Sequence, residues 1–385
     1  MPRPYACTGE CGRSVRLELS KPLLEQQFPD NVLKQPMPLE TAWMVEKLRQ
    51  LLLIPSPTGF TSAATNWLML ELTELGVAPQ LTRKGAVTWT LAGGEAAPRA
   101  IAAHIDTLGA MVKEVKYNAR LKLTPLGGYD PSTIEGEQCK IHTASGTVFT
   151  GTVLSVKQST HVWGAEGREL KRTFEALEVR VDALLHGSAL VNWHDTRALG
   201  IEVGDFVSWD TRTQILDNGY IKSRHLDNKA GVAAMLEVTR QVMRDSLALP
   251  GKVHFLVTNY EEVGHGAAHG IPNDAVEVVA IDMAAVGDGQ TSSELYCSIC
   301  VKDSGGPYDH DLSQHLRGLA KTAGIELKVD TYPFYASDAT AAWNAGGDFR
   351  AALIGPGVDA SHAFERTHTR AIEDTARLLL EYIKS

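Results

Sequence analysis

The sequence predicts an α/β protein: a mostly parallel sheet flanked by helices, carrying an inserted small β-barrel-like domain. Three observations predict it. Helical and strand-like runs alternate over residues 40–115 and again over 214–385, the pattern of parallel strands joined by crossover helices. Between them, residues 116–213 change to short alternating runs broken by Gly, Asp and Asn, such as GTVFTGTVLSV and VGDFVSWD, which reads as a β module. The run RAIAAHID is apolar almost throughout, as suits a strand covered on both faces.

Taken in order, residues 1–39 show no clear period and read as an N-terminal extension. ETAWMVEKLRQLLLI (40–54) repeats its apolar residues at helical spacing and stops at PSPTG; a second helix follows near 62–75. LTRKGAVTWTLAG and RAIAAHID then open the sheet. After the β module come a helix near 229–244, the strands KVHFLVTNY, VEVVAID and ELYCSICV, a helix near 312–323, the strand ELKVDTYP, a helix near 338–344, the strand FRAALIGP and a final helix from Thr369. The division is therefore a catalytic α/β domain over 40–115 and 214–385, with 116–213 inserted as a lid or oligomerisation domain.

Composition narrows the function. With 385 residues, 44% hydrophobic and 22% charged, the chain has the profile of a globular protein. Lys and Arg number 37 against 46 Asp and Glu, a net charge of −9, and no basic block interrupts the pattern, which argues against nucleic acid or an anionic membrane as partner. No apolar run approaches membrane-spanning length, and MPRPYACTGECGRSVRLELS has no apolar signal region; the expected location is the cytoplasm. Five cysteines, an odd number, fit a reducing compartment. Cys297 and Cys300 form C-x-x-C inside a strand-like run, where residues three apart face opposite ways; this weakens a shared metal, alone or with Cys7 and Cys11.

Chemistry concentrates at strand ends. RAIAAHID ends in His104 and Asp106, KVHFLVTNYEE in Glu261 and Glu262, VEVVAID in Asp282, and FRAALIGPGVDASH is followed by His362. Asp227 lies in SRHLDNKAG just before a helix. The carboxyl ends of parallel strands are where open α/β sheets place ligand sites. Imidazoles with carboxylates and no thiolates suit zinc, cobalt or manganese in a site with open positions. If one carboxylate bridges, five side chains give each of two ions three protein ligands, which points to a dinuclear hydrolase.

The succession AHIDTLGAMV, RHLDNKAGVAAMLEV, NYEEVGHGA, AIDMAAVGD, SDATAAW and IGPGVDASHAFERTH, with IPSPTG and GGYDPSTIEG, resembles the tetrahedral dinuclear metallo-aminopeptidases of glutamyl, leucyl and lysyl type, over residues 40–385. The resemblance implies a zinc-peptidase-like fold, two divalent metal ions per subunit, a short peptide or peptide-like substrate, and a homo-oligomer of up to twelve subunits. It also implies roles. Asp227 would bridge, His104 and Asp282 would complete one ion, and Glu262 and His362 the other. Glu261 would be the general base and Asp106 the carboxylate on the far nitrogen of His104. Asp338 in SDAT reads, from its place before a helix, either as a helix N-terminal carboxylate or as a contact for the substrate amine. Asn228 departs from the acidic residue that relatives often carry there, and MAAVGDGQ departs around the pocket. Alternatives are a related dinuclear amidohydrolase or deacylase, whose extra domain typically follows the paired Glu, and a metal-binding scaffold without catalysis. Glycoside hydrolysis is disfavoured, because adjacent Glu261 and Glu262 cannot straddle a glycosidic bond.

Overall fold

The structure, a computed structural model, describes residues 39–385; apart from Leu39, the expected extension, with Cys7 and Cys11, falls outside the described residues. Four strands form the centre of the large sheet, in the order Gly251–Thr258, Ala96–His104, Glu277–Ile281 and Arg350–Val358, each parallel to its neighbour. Val87–Leu91 adds antiparallel at one side and Cys297–Asp303 at the other. The central register pairs Thr258 with His104 and Ile281 with Ile354, so the residues that follow these strands emerge along one edge.

Alternation along the strands explains the two-faced core. Ile101, Ala103, Val279, Ile281 and Ile354 pack with the helices Leu39–Leu52, Ser62–Glu74, Leu226–Asp245 and Thr369–Lys384. Ala280, Ala351 and Leu353 turn to the other face, towards Ala339 of the short helix Asp338–Asn344. Cys297 and Cys300 likewise belong to opposite faces, both buried free thiols. Trp89 stacks on Phe255 at 4.8 Å between adjacent strands, a cross-strand aromatic pair worth about 0.5–1.5 kcal/mol beyond its buried area.

Six antiparallel strands close a barrel in the order Phe206–Trp209, Gly109–Val115, Leu121–Leu126, Leu177–Val181, Val148–Ser155, Gln138–His142, around a core that includes Leu121, Ile141, Val153 and Val179. The barrel takes in Gly109–Val115, which the sequence reading places within the catalytic α/β domain of 40–115. The reason is local: after His104 the chain turns through Asp106 and Thr107, and Gly109–Val115 pairs antiparallel with Leu121–Leu126. A small sheet that the sequence reading does not anticipate pairs Tyr220–Ser223 antiparallel with Glu365–His368, Ser223 opposite Glu365. It sets the residues before Asp227 beside those after His362.

Candidate active site

Each expected ligand leaves the fold at a point where the regular backbone stops. His104 is the last residue of its strand and Asp282 the first after its own. Asp227 and Asn228 depart from helical dihedrals at the start of Leu226–Asp245 and are joined by a cis peptide bond. Glu261 and Glu262 lie in a single 3₁₀ turn closed by Gly264 at φ +85°, a conformation glycine adopts without a steric penalty. His362 itself has φ +64° in the loop after Arg350–Val358.

These loops converge on Asp227. Its Oδ1 lies 3.1 Å from His104 Nε2 and its Oδ2 lies 3.3 Å from His362 Nε2. Asp282 Oδ1 stands 3.8 Å from His104 Nε2, and Glu262 Oε2 3.8 Å from His362 Nε2. Two groups of donors result, His104 with Asp227 and Asp282, and Asp227 with Glu262 and His362, the ligand atoms of each lying within 4.8 Å of one another. Glu261 belongs to neither; its Oε2 lies 3.7 Å from His104 Nε2.

Both imidazoles have Nδ1 against a backbone carbonyl, that of Asp106 at 3.0 Å for His104 and that of Gly128 for His362. A carbonyl only accepts, so Nδ1 donates in each case and Nε2 faces the carboxylates. This differs from the expectation for Asp106, whose carboxylate sits 3.6 Å from His104 and takes other partners. It accepts from Thr58 Oγ1 at 2.6 Å and from the backbone N–H groups of Glu261 and Glu262 at 3.1 and 3.3 Å. Asp106 thus fixes the turn that points the two glutamates in different directions.

The charge balance asks for cations. A cleft of about 620 Å³ is lined by Asp227, Glu261, Glu262, Asp282 and His362, with no Lys or Arg. Burial pushes the carboxyls of Glu261, Glu262 and Asp282 well above the usual carboxylate range, and each is raised further by neighbouring carboxylates. His362 rises to about 11 against its burial because Asp227 and Glu262 face it. His104 rises likewise beside Asp106 and Asp227, while those two imidazoles hold Asp227 low in spite of its burial. One unpaired buried charge costs several kcal/mol, and Glu262 Oε1 is buried with no hydrogen-bond partner. Neutral imidazole nitrogens, carboxylate oxygens and an orphaned carboxylate oxygen fit divalent ions, whose binding releases the protons that the site otherwise holds.

Asp338 stands apart. Its carboxylate is buried, accepts from Thr258 Oγ1 at 2.9 Å and from Ala267 N at 2.8 Å, and does not line the cleft. It ties the Gly264–Gly270 loop to the end of a central strand. His225 is buried at φ +69° just before the helix, and burial holds its imidazole well below the usual range.

Sequence reasoning missed three residues. Glu365 accepts from the backbone N–H groups of both Asp227 and His362, each at 3.1 Å, and burial beside Asp227 lifts it to about 8. Arg224, almost wholly buried, donates to the carbonyls of Ala363 and Thr133 and pairs with Glu137 at 3.2 Å. Gly128 offers its carbonyl to His362. The signals available were E in HAFERTH, and R before HLD. Asn228 Nδ2 donates to the Ile281 carbonyl at 2.6 Å, a bond that an ionised acid at that position cannot make, which accounts for the departure noted in sequence.

Comparison with known proteins decides the family. The description "M42 glutamyl aminopeptidase" matches residues 85–378. The chain belongs to the M42 aminopeptidase family. It is 46% identical over 342 residues to YhfE of Bacillus subtilis (strain 168), a protein classed by name with the aminopeptidases, covering 89% of this chain and 97% of that one. Among solved structures it shares the fold of the TET aminopeptidase from Thaumarchaeota archaeon SCGC AB-539-E09, with TM-score 0.79, 18% identity, and 89% and 96% of the two chains covered. The TET1 peptidase of Pyrococcus horikoshii gives TM-score 0.77 at 21% identity over 88% and 99%. This M42 member is a metal-dependent aminopeptidase, a hydrolase of peptide bonds.

Proposed function

We propose that this aminopeptidase removes the N-terminal residue of short peptides at a dinuclear centre. Asp227 would bridge the two ions, with His104 and Asp282 completing one and Glu262 and His362 the other. The observation that carries this reading is the carboxylate of Asp227, with one oxygen towards each imidazole. Nitrogen and oxygen donors without sulfur suit zinc or cobalt, and manganese as well. Bound there, such ions supply Lewis-acid polarisation of the scissile carbonyl and a lowered pKa for the attacking water.

The chain's own groups do the rest. Glu261, outside both donor groups but 3.7 Å from His104, takes a proton from the water and delivers it to the leaving amine. Asp106 holds the backbone N–H groups of Glu261 and Glu262, so both carboxylates line the cleft, Glu262 towards His362 and Glu261 towards His104. Glu261→Gln preserves the shape and removes the base. Turnover of an aminoacyl-p-nitroanilide is expected to fall roughly 10²–10⁴-fold with metal content, measured by mass spectrometry of the ions, unchanged; wild-type turnover in this variant excludes Glu261 as the base.

We also place the barrel as an inserted lid or oligomerisation domain, covering 116–213 and extended to Gly109, and the protein as a homo-oligomer. The TET1 peptidase of Pyrococcus horikoshii can assemble into a tetrahedron or a large octahedral shell, and PhTET1-12s is a dodecamer in its solved structure, which supports a twelve-subunit form here. Buried free Cys139, Cys297 and Cys300 support a reducing compartment, the cytoplasm. No helix among the described residues is long and apolar enough to cross a membrane.

A further inference from the structure

The family description names a glutamyl enzyme, and an acidic N-terminal side chain needs a cation in the pocket that receives it. A carboxylate taken from water into a pocket without a partner costs several kcal/mol, and the cleft here has no Lys or Arg in its lining. Its charged lining residues, Asp227, Glu261, Glu262, Asp282 and His362, are those assigned to the ions and the base. Beyond them the wall is uncharged and largely apolar: Met283, Ala285, Gln290, Tyr332, Phe334 and Tyr335.

This wall is built rather than loose. Met283 directly follows Asp282, and its carbonyl accepts from Tyr335 Oη at 2.8 Å. The Tyr335 ring lies 5.2 Å from that of Tyr332, whose hydroxyl meets Ser292 Oγ at 2.8 Å. Phe334 sits between them in sequence, in the stretch joining Lys328–Thr331 to Asp338–Asn344, and is 99% exposed. An aromatic ring left entirely in water at the edge of an apolar cleft gains nothing for folding and has area to offer a ligand. The free amine and the scissile carbonyl of a peptide belong at the carboxylate end, beside Glu261. The first side chain, borne on the carbon between them, meets the adjoining uncharged wall.

We infer that this aminopeptidase selects peptides whose N-terminal residue is neutral and apolar, aliphatic or aromatic, and rejects glutamyl and lysyl N-termini, with Phe334 as a specificity-determining contact and Gln290 facing the same pocket. The inference rests on the aminopeptidase reading for the direction in which the substrate lies. A lysyl side chain meets the same objection as a glutamyl one, since the wall holds no carboxylate beyond those committed to the centre.

The test separates binding from turnover. Isothermal titration of the metal-loaded, full-length protein with the α-hydroxamates of leucine, phenylalanine, glutamate and lysine reads the pocket directly. Leucine and phenylalanine hydroxamates are expected to bind at least roughly 30-fold tighter than the other two, a ratio within what unpaired charge costs; glutamate or lysine hydroxamate binding as tightly or more tightly overturns the inference. Gln290→Arg is expected to improve glutamate hydroxamate about tenfold and to leave leucine hydroxamate little changed; no gain means that the side chain binds elsewhere. Phe334→Ala, at a fully exposed site where folding is not at stake, is expected to weaken phenylalanine hydroxamate about 3–10-fold, and an unchanged affinity removes Phe334 from the pocket. Release of p-nitroaniline from leucyl-p-nitroanilide is scored separately. Selective hydroxamate binding without turnover of any aminoacyl substrate sinks the aminopeptidase reading and leaves the pocket assignment in place.

Discussion

The two halves of the candidate centre share Asp227 and little else. The half around His104 and Asp282 is built from the ends of central strands, with the His104 side chain 1% exposed. The half around Glu262 and His362 is built from a 3₁₀ turn and a loop, and the His362 side chain is 37% exposed. One takes its rigidity from the register of the sheet, the other from contacts that cross the fold: the Gly128 carbonyl, Glu365, and Arg224 joining Ala363 to Thr133. The difference teaches that equal ligand chemistry need not mean equal grip. A ligand fixed by packing has less to lose on binding an ion than one held at solvent by a few hydrogen bonds.

The variants that test this contrast run from large effects to small. Asp227→Ala removes the only residue common to both halves and is expected to abolish binding of both ions and activity with it; retention of one equivalent, measured by ion mass spectrometry, shows that the halves are independent. Next come the two imidazoles. His104→Ala is expected to lose the ion of the buried half and several degrees of Tm, because its cavity lies at the end of a central strand, whereas His362→Ala loses one equivalent with Tm nearly unchanged. Equal losses from both erase the distinction.

Glu365→Gln is the subtler probe. The carboxylate accepts from two backbone N–H groups, and an amide can accept on one oxygen only. The expected result is a drop of about 10–100-fold in affinity at the His362 half, read by competition with a chromogenic chelator, with the buried half unaffected.

Metal removal completes the series through its pH dependence. Glu261, Glu262 and Asp282 carry folded-state pKa values above their usual ones, as do Glu365 at about 8 and His362 at about 11. For such groups the folded protein binds more protons than the unfolded chain, and the stability linked to them is lost as pH rises towards the folded value. Buried Lys229, lowered to about 7, and His225, held well below its usual range, act in the opposite sense in both forms, so the expected reading is the difference: the Tm of the loaded protein minus that of the chelated protein grows between pH 6 and pH 8, because the ions replace the protons of the site. A loaded-minus-chelated Tm difference that stays constant or shrinks over that window contradicts the charge balance described for the site.

Much of the centre was legible in sequence because the chemistry follows directly on apolar runs. His104, Glu261, Glu262 and Asp282 each come within a few residues of a strand end, and parallel register brings strand ends together. What was not legible acts through the backbone or across the chain. The family resemblance makes Asp106 a partner for His104, and its carboxylate also serves the N–H groups of the Glu261–Glu262 turn, which nothing in the local sequence announces. Glu365 matters because Tyr220–Ser223 pairs with Glu365–His368, a two-strand match too short to show as a pattern. Asp338, at the start of a helix in sequence, is held by a threonine hydroxyl and a backbone N–H from two other segments, partners that no local pattern announces. The start of the barrel escaped for a similar reason: Gly109–Val115 continues from a buried strand with no break in composition.

The strand Arg350–Val358 lies between Glu277–Ile281 and Cys297–Asp303, both made earlier in the chain. A ribosome synthesising this polypeptide exposes the first ligand long before the last, and the gap between two waiting strands is filled only when the final segment emerges. A nascent fragment that stops short of Arg350 therefore has an open slot at the middle of its sheet, and lacks the strand that leads to His362.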